Sequence, residues 1–151
     1  MTGAPIYLDS NATTAVDPEV LKAMLPYFTE RPGNAGSSGH SFGWEAEDAI
    51  EKAREEVASL INATGQEIIF TAGATESINL VISNVKSGHI VTVATEHKAV
   101  LAACEAVESS GVRTTYLPVD QEGLIALNLL QNSLEDDTSL ICVMFATNET
   151  G

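Results

Sequence analysis

The sequence predicts an α/β protein with a mainly parallel sheet and helices on both faces of that sheet. From residue 67 onward, short apolar segments alternate with segments of helical periodicity, which is typical of βαβ crossover units. Residues 139–145 form an apolar run of strand length, as expected for a strand buried on both faces. No repeat, low-complexity stretch or linker interrupts the 151 residues, so they are predicted to fold without an internal break.

Two helices are predicted before this alternation begins. The first starts at Asp17 and Pro18, which suit the N-cap and the first helical position, and it ends at residues 31–33. The second spans residues 44–62, after a loop rich in Gly and Ser. Both have apolar residues at helical spacing, which predicts a core-facing side: Val20, Leu21, Met24, Leu25 and Phe28 in the first, and Ala46, Ala49, Ile50, Ala53, Val57, Leu60 and Ile61 in the second.

The alternating part is predicted element by element from the same two periodicities. Strands are expected at 67–71, 89–93, 112–117 and 139–145, and helices at 76–82, 98–109 and 127–134.

Charge and composition exclude several classes of function. The chain has 21 acidic and 7 basic residues, a formal charge of −14, which opposes binding to DNA or RNA. No apolar run approaches the roughly 20 residues of a membrane helix, and the first nine residues do not have the pattern of an export signal. We therefore expect a cytoplasmic protein that binds neither nucleic acid nor membranes.

The cysteines and histidines do not predict a metal site or a nucleophilic thiol. Cys142 lies in an apolar run and is expected to be buried, and Cys104 lies in a helical pattern with no basic neighbour, so neither is expected to be a nucleophile. His40, His89 and His97 have no ligand spacing with the cysteines, and we expect no metal.

Polar candidates follow three predicted strands, where ligands of open α/β sheets bind. The small-residue turn at 71–75 leads into a helix, so its N–H groups and the Thr75 hydroxyl are candidates for holding a phosphate. His97 follows the strand at 89–93 and is suited to ring stacking or proton exchange. Asn148 follows the last strand and is a candidate to bind a ligand oxygen.

Each of these candidates also has an ordinary structural explanation. A small-residue turn is common in packing, a loop histidine is commonly just exposed, and asparagine is frequent in turns. Together, at three strand ends, they indicate a planar ligand that carries a phosphate.

Four stretches of the sequence resemble one known family. They are the opening IYLDSNATT with VDP (within residues 6–18), EIIFTAGATES (67–77), VATEHKAV (93–100) and ATNETG (146–151). In content, order and approximate spacing they resemble cysteine desulfurases of the class V aminotransferase group.

The resemblance implies part of the large domain of a fold type I pyridoxal-phosphate enzyme that works as a homodimer. Residues 17–151 would belong to the cofactor-binding large domain, and residues 1–16 would belong to or contact the small domain. The roles implied for individual residues are as follows: Ala74 and Thr75 bind the cofactor phosphate, His97 stacks on the ring and transfers protons, Asn148 binds the ring hydroxyl, and Ala12, Thr13, Asn34 and His40 lie near the substrate pocket.

The implied reaction removes sulfur from L-cysteine and gives L-alanine and an enzyme persulfide. The persulfide supplies sulfur to acceptor or iron–sulfur scaffold proteins. The family's cofactor lysine, its pyridine-nitrogen aspartate and its acceptor cysteine are not among these 151 residues. We therefore expect an incomplete gene product with negligible desulfurase activity by itself.

Three alternatives remain open from the sequence. The enzymatic alternatives to the cysteine desulfurase are a selenocysteine lyase and a cysteine C–S lyase, because the loop that separates these activities is not among these residues. The third alternative is a non-catalytic remnant or subunit that pairs with a full-length partner.

Overall fold

The computed structural model describes residues 5–10 and 12–147. The chain divides into two compact units, residues 1–70 and 71–151, and each is presented by itself. The predicted boundary after residue 16 is a different division and stays a prediction.

The first unit contains two long helices and a short 3-10 helix. Helix α1 spans Pro18–Thr29, and its N-cap is Asp17, whose carboxylate accepts a hydrogen bond of 2.8 Å from the Glu19 N–H. Helix α2 spans Ser41–Leu60, three residues earlier than predicted, because His40 caps it. The 3-10 helix covers Gly65–Glu67.

The predicted core-facing sides of these two helices are not buried in the described structure. No residue of α1 is buried, and Leu60 and Ile61 of the second predicted stripe are 84% and 66% exposed. The apolar residues of α1 and α2 instead line an open groove of about 680 Å³ within the unit. The expectation failed because no strand forms among the described residues of this unit, so it has no sheet face to cover these side chains.

The prediction of a strand at 67–71 is also wrong. Its first residue ends the 3-10 helix, and Ile68 has extended φ and ψ angles, yet no described strand pairs with this segment. An apolar extended segment becomes a strand only when a neighbour supplies the hydrogen-bond ladder. Ile69 and Phe70 are accordingly exposed.

The second unit is the predicted α/β alternation. Its elements are α3 (Ala74–Ile82), β1 (His89–Val93), α4 (Lys98–Glu108), β2 (Arg113–Leu117), α5 (Leu127–Ser133) and β3 (Thr138–Ile141). The strand order is β2-β1-β3, and both pairings are parallel. The prediction of a parallel sheet is therefore confirmed.

Helices cover both faces of this sheet, as predicted. Residues of α3 and α4 pack with Ile90 of the central strand into one apolar cluster, which includes the fully buried Cys104. On the opposite face, Val91 and Val93 pack with Leu117 and with Leu130 of α5. Alternate residues of β1 thus supply the core of each layer, and the whole strand is buried.

A buried histidine joins the three strands near their amino ends. His89 is 1% exposed, its Nδ1 lies 2.9 Å from the Thr138 hydroxyl, and its Nε2 lies 2.8 Å from the Thr115 hydroxyl. Both ring nitrogens therefore have partners, and His89 fixes the relative position of β2, β1 and β3. Among the described residues no helix is long and apolar enough to cross a membrane.

Candidate functional site

A cavity of about 530 Å³ lies where β1 and β2 end and the segment after β3 begins. Its walls come from residues 95–98, the start of the loop after β2, and the segment that follows β3. The carboxyl ends of parallel strands meet at one edge of a sheet, which is where α/β proteins bind ligands. Its position agrees with the edge that the sequence predicts for the site.

His97 lines this cavity and is also the N-cap of α4. Its Nδ1 accepts a hydrogen bond of 3.1 Å from the Ala99 N–H, which satisfies one of the free donors of the first turn. A nitrogen that accepts this bond carries no proton, so the neutral ring carries its proton on Nε2. Nε2 is therefore the atom that is free to exchange a proton with a ligand.

Glu96 is a buried carboxylate behind His97, and sequence reasoning missed it. It is 7% exposed and accepts a hydrogen bond from the His97 N–H at 3.1 Å through Oε2. Its Oε1 accepts a second hydrogen bond from the Met144 N–H, 48 residues away along the chain. The sequence signal for it is a carboxylate three residues after a predicted strand, next to a candidate site histidine.

The loop after β2 supplies a second part of the wall that was missed. Asp120 Oδ1 accepts hydrogen bonds from the N–H groups of Glu122 and Leu124, at 2.9 and 2.8 Å. These bonds and the positive φ of Gly123 close a tight turn over the cavity. The Asp-Gln-Glu-Gly sequence after a predicted strand end indicates such a turn.

The amino end of α3 has free backbone donors. Its N-cap is Gly73, which has no side chain to cap it, and no hydrogen bond within the described part of the chain uses the N–H groups of Ala74 and Thr75. These residues line a hollow of about 470 Å³. The exposed N–H groups and the helix dipole suit an anion there.

One acidic group lies against the same hollow. The Glu76 carboxylate lines it and accepts a hydrogen bond of 2.6 Å from the Ala72 N–H. A phosphate there would be bound by backbone N–H groups and the Thr75 hydroxyl, against this negative charge. The donor set fits a phosphate ester because oriented N–H groups bind phosphate without lysine.

The predicted cofactor residues are distributed over these two sites. His97 lies in the cavity with Thr147, whereas Ala74 and Thr75 line the separate hollow. Asn148, which follows Thr147, lies outside the described residues. That all four contact one ligand therefore stays a prediction.

The predicted substrate-pocket residues belong to the first unit and have local roles there. His40 Nδ1 accepts a hydrogen bond of 3.2 Å from the Gly43 N–H, and Asn34 Oδ1 accepts one of 2.8 Å from the Gly36 N–H. Ala12 and Thr13 lie in an exposed turn, where the Tyr7 hydroxyl donates to the Thr13 carbonyl oxygen at 2.9 Å. Their place near a substrate pocket stays a prediction.

Neither thiol is a reactive nucleophile, as the sequence predicts, but Cys142 is half-buried rather than buried. Burial raises the pKa of Cys104 to about 11, and burial followed by the negative charge of Glu96 raises the pKa of Cys142. Both thiols are therefore protonated at neutral pH and are poor nucleophiles. No cluster of metal-binding side chains occurs among residues 5–10 and 12–147.

Comparison with known families identifies the group to which the fold belongs. The family model for aminotransferase class V matches residues 6–151. The chain belongs to the aminotransferase class V family. The fold type I large-domain architecture predicted from the sequence is confirmed by solved structures, and pyridoxal phosphate is the cofactor of the class V aminotransferases.

A similar protein within the class V aminotransferases is named as a cysteine desulfurase. The chain is 53% identical to cysteine desulfurase IscS of Rickettsia bellii over 153 aligned positions, which cover 97% of this chain and 37% of that protein. The chain thus spans less than two fifths of the length of this relative.

Solved structures show the same fold over most of the chain. A NifS-like protein superposes with a TM-score of 0.90 at 40% identity, over 95% of this chain and 41% of that one. The protein SspA, solved in complex with cysteine, superposes with a TM-score of 0.89 at 36% identity, over 95% of this chain and 43% of that one.

Proposed function

We propose that this chain forms the amino-terminal part of a pyridoxal-phosphate-dependent cysteine desulfurase. The enzyme would release sulfur from L-cysteine, giving L-alanine and an enzyme persulfide for iron–sulfur cluster or thio-cofactor assembly. The observation that carries the proposal is the cavity at the carboxyl ends of the strands, with the His97 ring held in one tautomer at its wall. The names of the relatives support the sulfur chemistry.

Different residues of the chain hold different parts of the cofactor. The free N–H groups at the start of α3 and the Thr75 hydroxyl bind the phosphate, and the His97 ring stacks on the pyridine ring. Asn148 hydrogen-bonds the ring hydroxyl. When bound, pyridoxal phosphate supplies an electron sink, and the protein supplies orientation and electrostatics.

The hydrogen bonds of His97 specify how it handles protons. Because Nδ1 caps α4, Nε2 is the ring nitrogen at which His97 exchanges a proton. The hydrogen bond from the His97 backbone N–H to the Glu96 carboxylate fixes the backbone of the residue. A ring that is fixed in this way transfers a proton at a single place beside the cofactor.

The proposal includes the cellular setting of the whole enzyme. It is a homodimer in the cytoplasm that passes sulfur to acceptor or scaffold proteins. L-cysteine as substrate is supported by the solved complex of the similar protein SspA with cysteine.

The decisive experiment places these residues in a complete enzyme. This chain replaces the matching segment of the Rickettsia bellii relative, and alanine release from L-cysteine and from selenocysteine is measured. We expect pyridoxal phosphate absorbance and alanine from L-cysteine in the chimaera, and at least a tenfold lower rate in its His97→Ala form, since positioned proton transfer contributes about that much or more.

Two results would count against the proposal. A folded chimaera that retains the cofactor but releases no alanine from L-cysteine would count against the desulfurase chemistry. A folded chimaera that does not retain the cofactor would favour a non-catalytic remnant.

A further inference from the structure

The parallel pairing of β1 with β3 stops in an unusual way at the edge of the cavity. The Cys142 N–H donates to the Val91 carbonyl oxygen at 2.9 Å, as a parallel ladder requires. The next N–H to face β1 is that of Met144, and in a continued ladder its acceptor would be the Val93 carbonyl oxygen. That oxygen already accepts the Glu96 N–H at 3.2 Å.

The Glu96 side chain takes the place of the missing backbone acceptor. One carboxylate oxygen accepts the Met144 N–H, and the other accepts the His97 N–H. The strand predicted at 139–145 ends at Ile141, and Met144 and Thr147 of the segment after it line the cavity. One buried carboxylate thus joins the backbone of His97 to the described segment after β3 at Met144.

From this geometry we infer that Glu96 is a positioning residue, which holds His97 and the segment leading to Asn148 in a fixed relation for cofactor binding. The inference rests on the proposed function for its cofactor part, whereas the coupling of the two segments stands on the contacts of Glu96. A hydrogen bond from a buried N–H to a charged acceptor is stronger than one to a neutral acceptor. The two acceptor oxygens also require a side chain of this length.

Amide hydrogen exchange of the folded chain tests the coupling directly. In the unaltered chain, the Met144 amide should exchange more slowly than the amides of Val143 and Phe145, on either side of it. In Glu96→Gln, one of the two N–H groups loses its acceptor, because the new amide group has a single oxygen. In Glu96→Asp, the charge remains but the shorter side chain does not span both donors.

Both variants should increase exchange at Met144 or His97 about tenfold, the effect of losing one buried hydrogen bond, while the amide of Val91 in the core stays protected. Both should also weaken binding of pyridoxal 5′-phosphate, followed by fluorescence, about tenfold. Glu105→Gln, the same charge change at an exposed position of α4, should alter neither measurement.

The possible results separate the two parts of the argument. Unchanged exchange at both amides in the two variants, or an unprotected Met144 amide in the unaltered chain, overturns the coupling. Faster exchange with unchanged cofactor binding overturns the positioning role. If even the unaltered chain binds no pyridoxal phosphate, these residues do not hold the cofactor by themselves, and the exchange data still decide whether Glu96 couples the segments.

Discussion

At the scale of single residues, His97 combines a structural contact with a predicted ligand contact. Its Nδ1 caps α4, and its ring faces a cavity at the carboxyl edge of the sheet. The structural part explains why a histidine at this position is fixed without a ligand. It also means that a simple alanine substitution would change two properties together.

The variants His97→Asn and His97→Ala separate those two properties. Asparagine is a good N-cap residue but has no aromatic ring, so His97→Asn should retain the free energy of unfolding within about 0.5 kcal/mol, whereas His97→Ala should lose about 1 kcal/mol. Both should lose affinity for pyridoxal phosphate. Urea unfolding and fluorescence titration measure the two effects, and unaltered affinity in His97→Asn would contradict the stacking role.

Thr75 provides a prediction about the phosphate group alone. Thr75→Val keeps the shape of the side chain and removes its hydroxyl, so binding of pyridoxal 5′-phosphate should weaken about fivefold, the value of one hydrogen bond of about 1 kcal/mol. Binding of pyridoxal, which has no phosphate, serves as the control and should not change. An equal loss for both ligands would show that Thr75 does not contact the phosphate.

At the scale of elements, the loop before α2 is held by close backbone contacts. A Cβ on Gly43 would lie 1.8 Å from the Ser37 carbonyl oxygen, closer than any real contact. The predicted substrate-pocket residues Asn34 and His40 belong to this loop. Asn34 accepts a hydrogen bond from the backbone of Gly36 in the loop, and His40 accepts one from the backbone of Gly43 in α2. Their positions therefore depend on a glycine at residue 43.

Gly43→Ala should destabilise this loop by about 2 kcal/mol or more, because the loop backbone must move to admit the methyl group. Gly39→Ala is the matched control, since a Cβ there meets nothing within 4 Å. Limited proteolysis of the 33–43 loop and urea unfolding measure the difference. Equal behaviour of the two variants would mean that the close contact does not hold in solution.

The ion pairs of Arg113 at the amino edge of the sheet predict that the stability of the fold depends on pH. Arg113 Nη2 contacts both carboxylate oxygens of Asp137 at 2.7 and 2.8 Å, and its Nη1 contacts Glu135. The hydrogen bond from Arg113 lowers the pKa of Asp137 below the ordinary 3.8. The folded form therefore favours the ionised carboxylate, so this contribution is present above about pH 4 and is lost as the pH falls further.

Asp137→Asn should thus be less stable than the unaltered chain near neutral pH, and the difference should shrink as the pH falls below about 4. The groups are exposed, so the effect should be small and should shrink in about 1 M salt. Unfolding midpoints at several pH values and salt concentrations measure it. A difference that grows on acidification would contradict the assignment.

A helix or strand could be predicted from the sequence where its own residues determine it, and not where a distant contact does. Residues 89–93 were predicted with the observed bounds, because an apolar β-branched run between turns has one stable outcome in a covered sheet. Residues 67–71 have a similar composition but form no strand, because pairing needs a neighbour that local sequence does not specify. The early end of β3 depends on Glu96, a contact across 48 residues that no periodicity reveals.

The candidate site divides in the same manner. The ends of strands indicated His97 and the start of α3, since the rule for α/β sheets needs only the order of elements. The sequence indicates the turn at Asp120, but it does not predict that this turn lines the cavity. Whether the cavity beside His97 and the hollow at the start of α3 hold one ligand depends on distances that sequence patterns do not determine.

At the scale of the whole molecule, the chain covers 37% of the length of its Rickettsia relative and has much apolar surface. Large hydrophobic residues of α1 and α2 are exposed, and the outer edge of β3 has no described partner strand. Such surfaces favour association. They provide a reason to expect that the isolated chain associates and that its cofactor chemistry needs a further protein surface.

The isolated chain should therefore be inactive with L-cysteine and pyridoxal phosphate. Its four lysines, Lys22, Lys52, Lys86 and Lys98, lie outside the family's lysine motif, and only Lys98 is among the residues that line the described cavity beside His97. We expect no alanine above the rate of free cofactor, and no stoichiometric adduct after borohydride reduction, because Lys98 is exposed and lies outside the family's lysine motif.

Mass spectrometry of the reduced protein decides this last prediction. A stoichiometric adduct at Lys98 that is absent in Lys98→Arg would contradict it, and would mean that the cavity binds the cofactor covalently through a lysine other than that of the family. Scattered substoichiometric labelling of all four lysines would agree with it, since free amines react slowly with any aldehyde. The pattern of labelling therefore tells whether the cavity at the sheet edge is a reactive site or one part of a site.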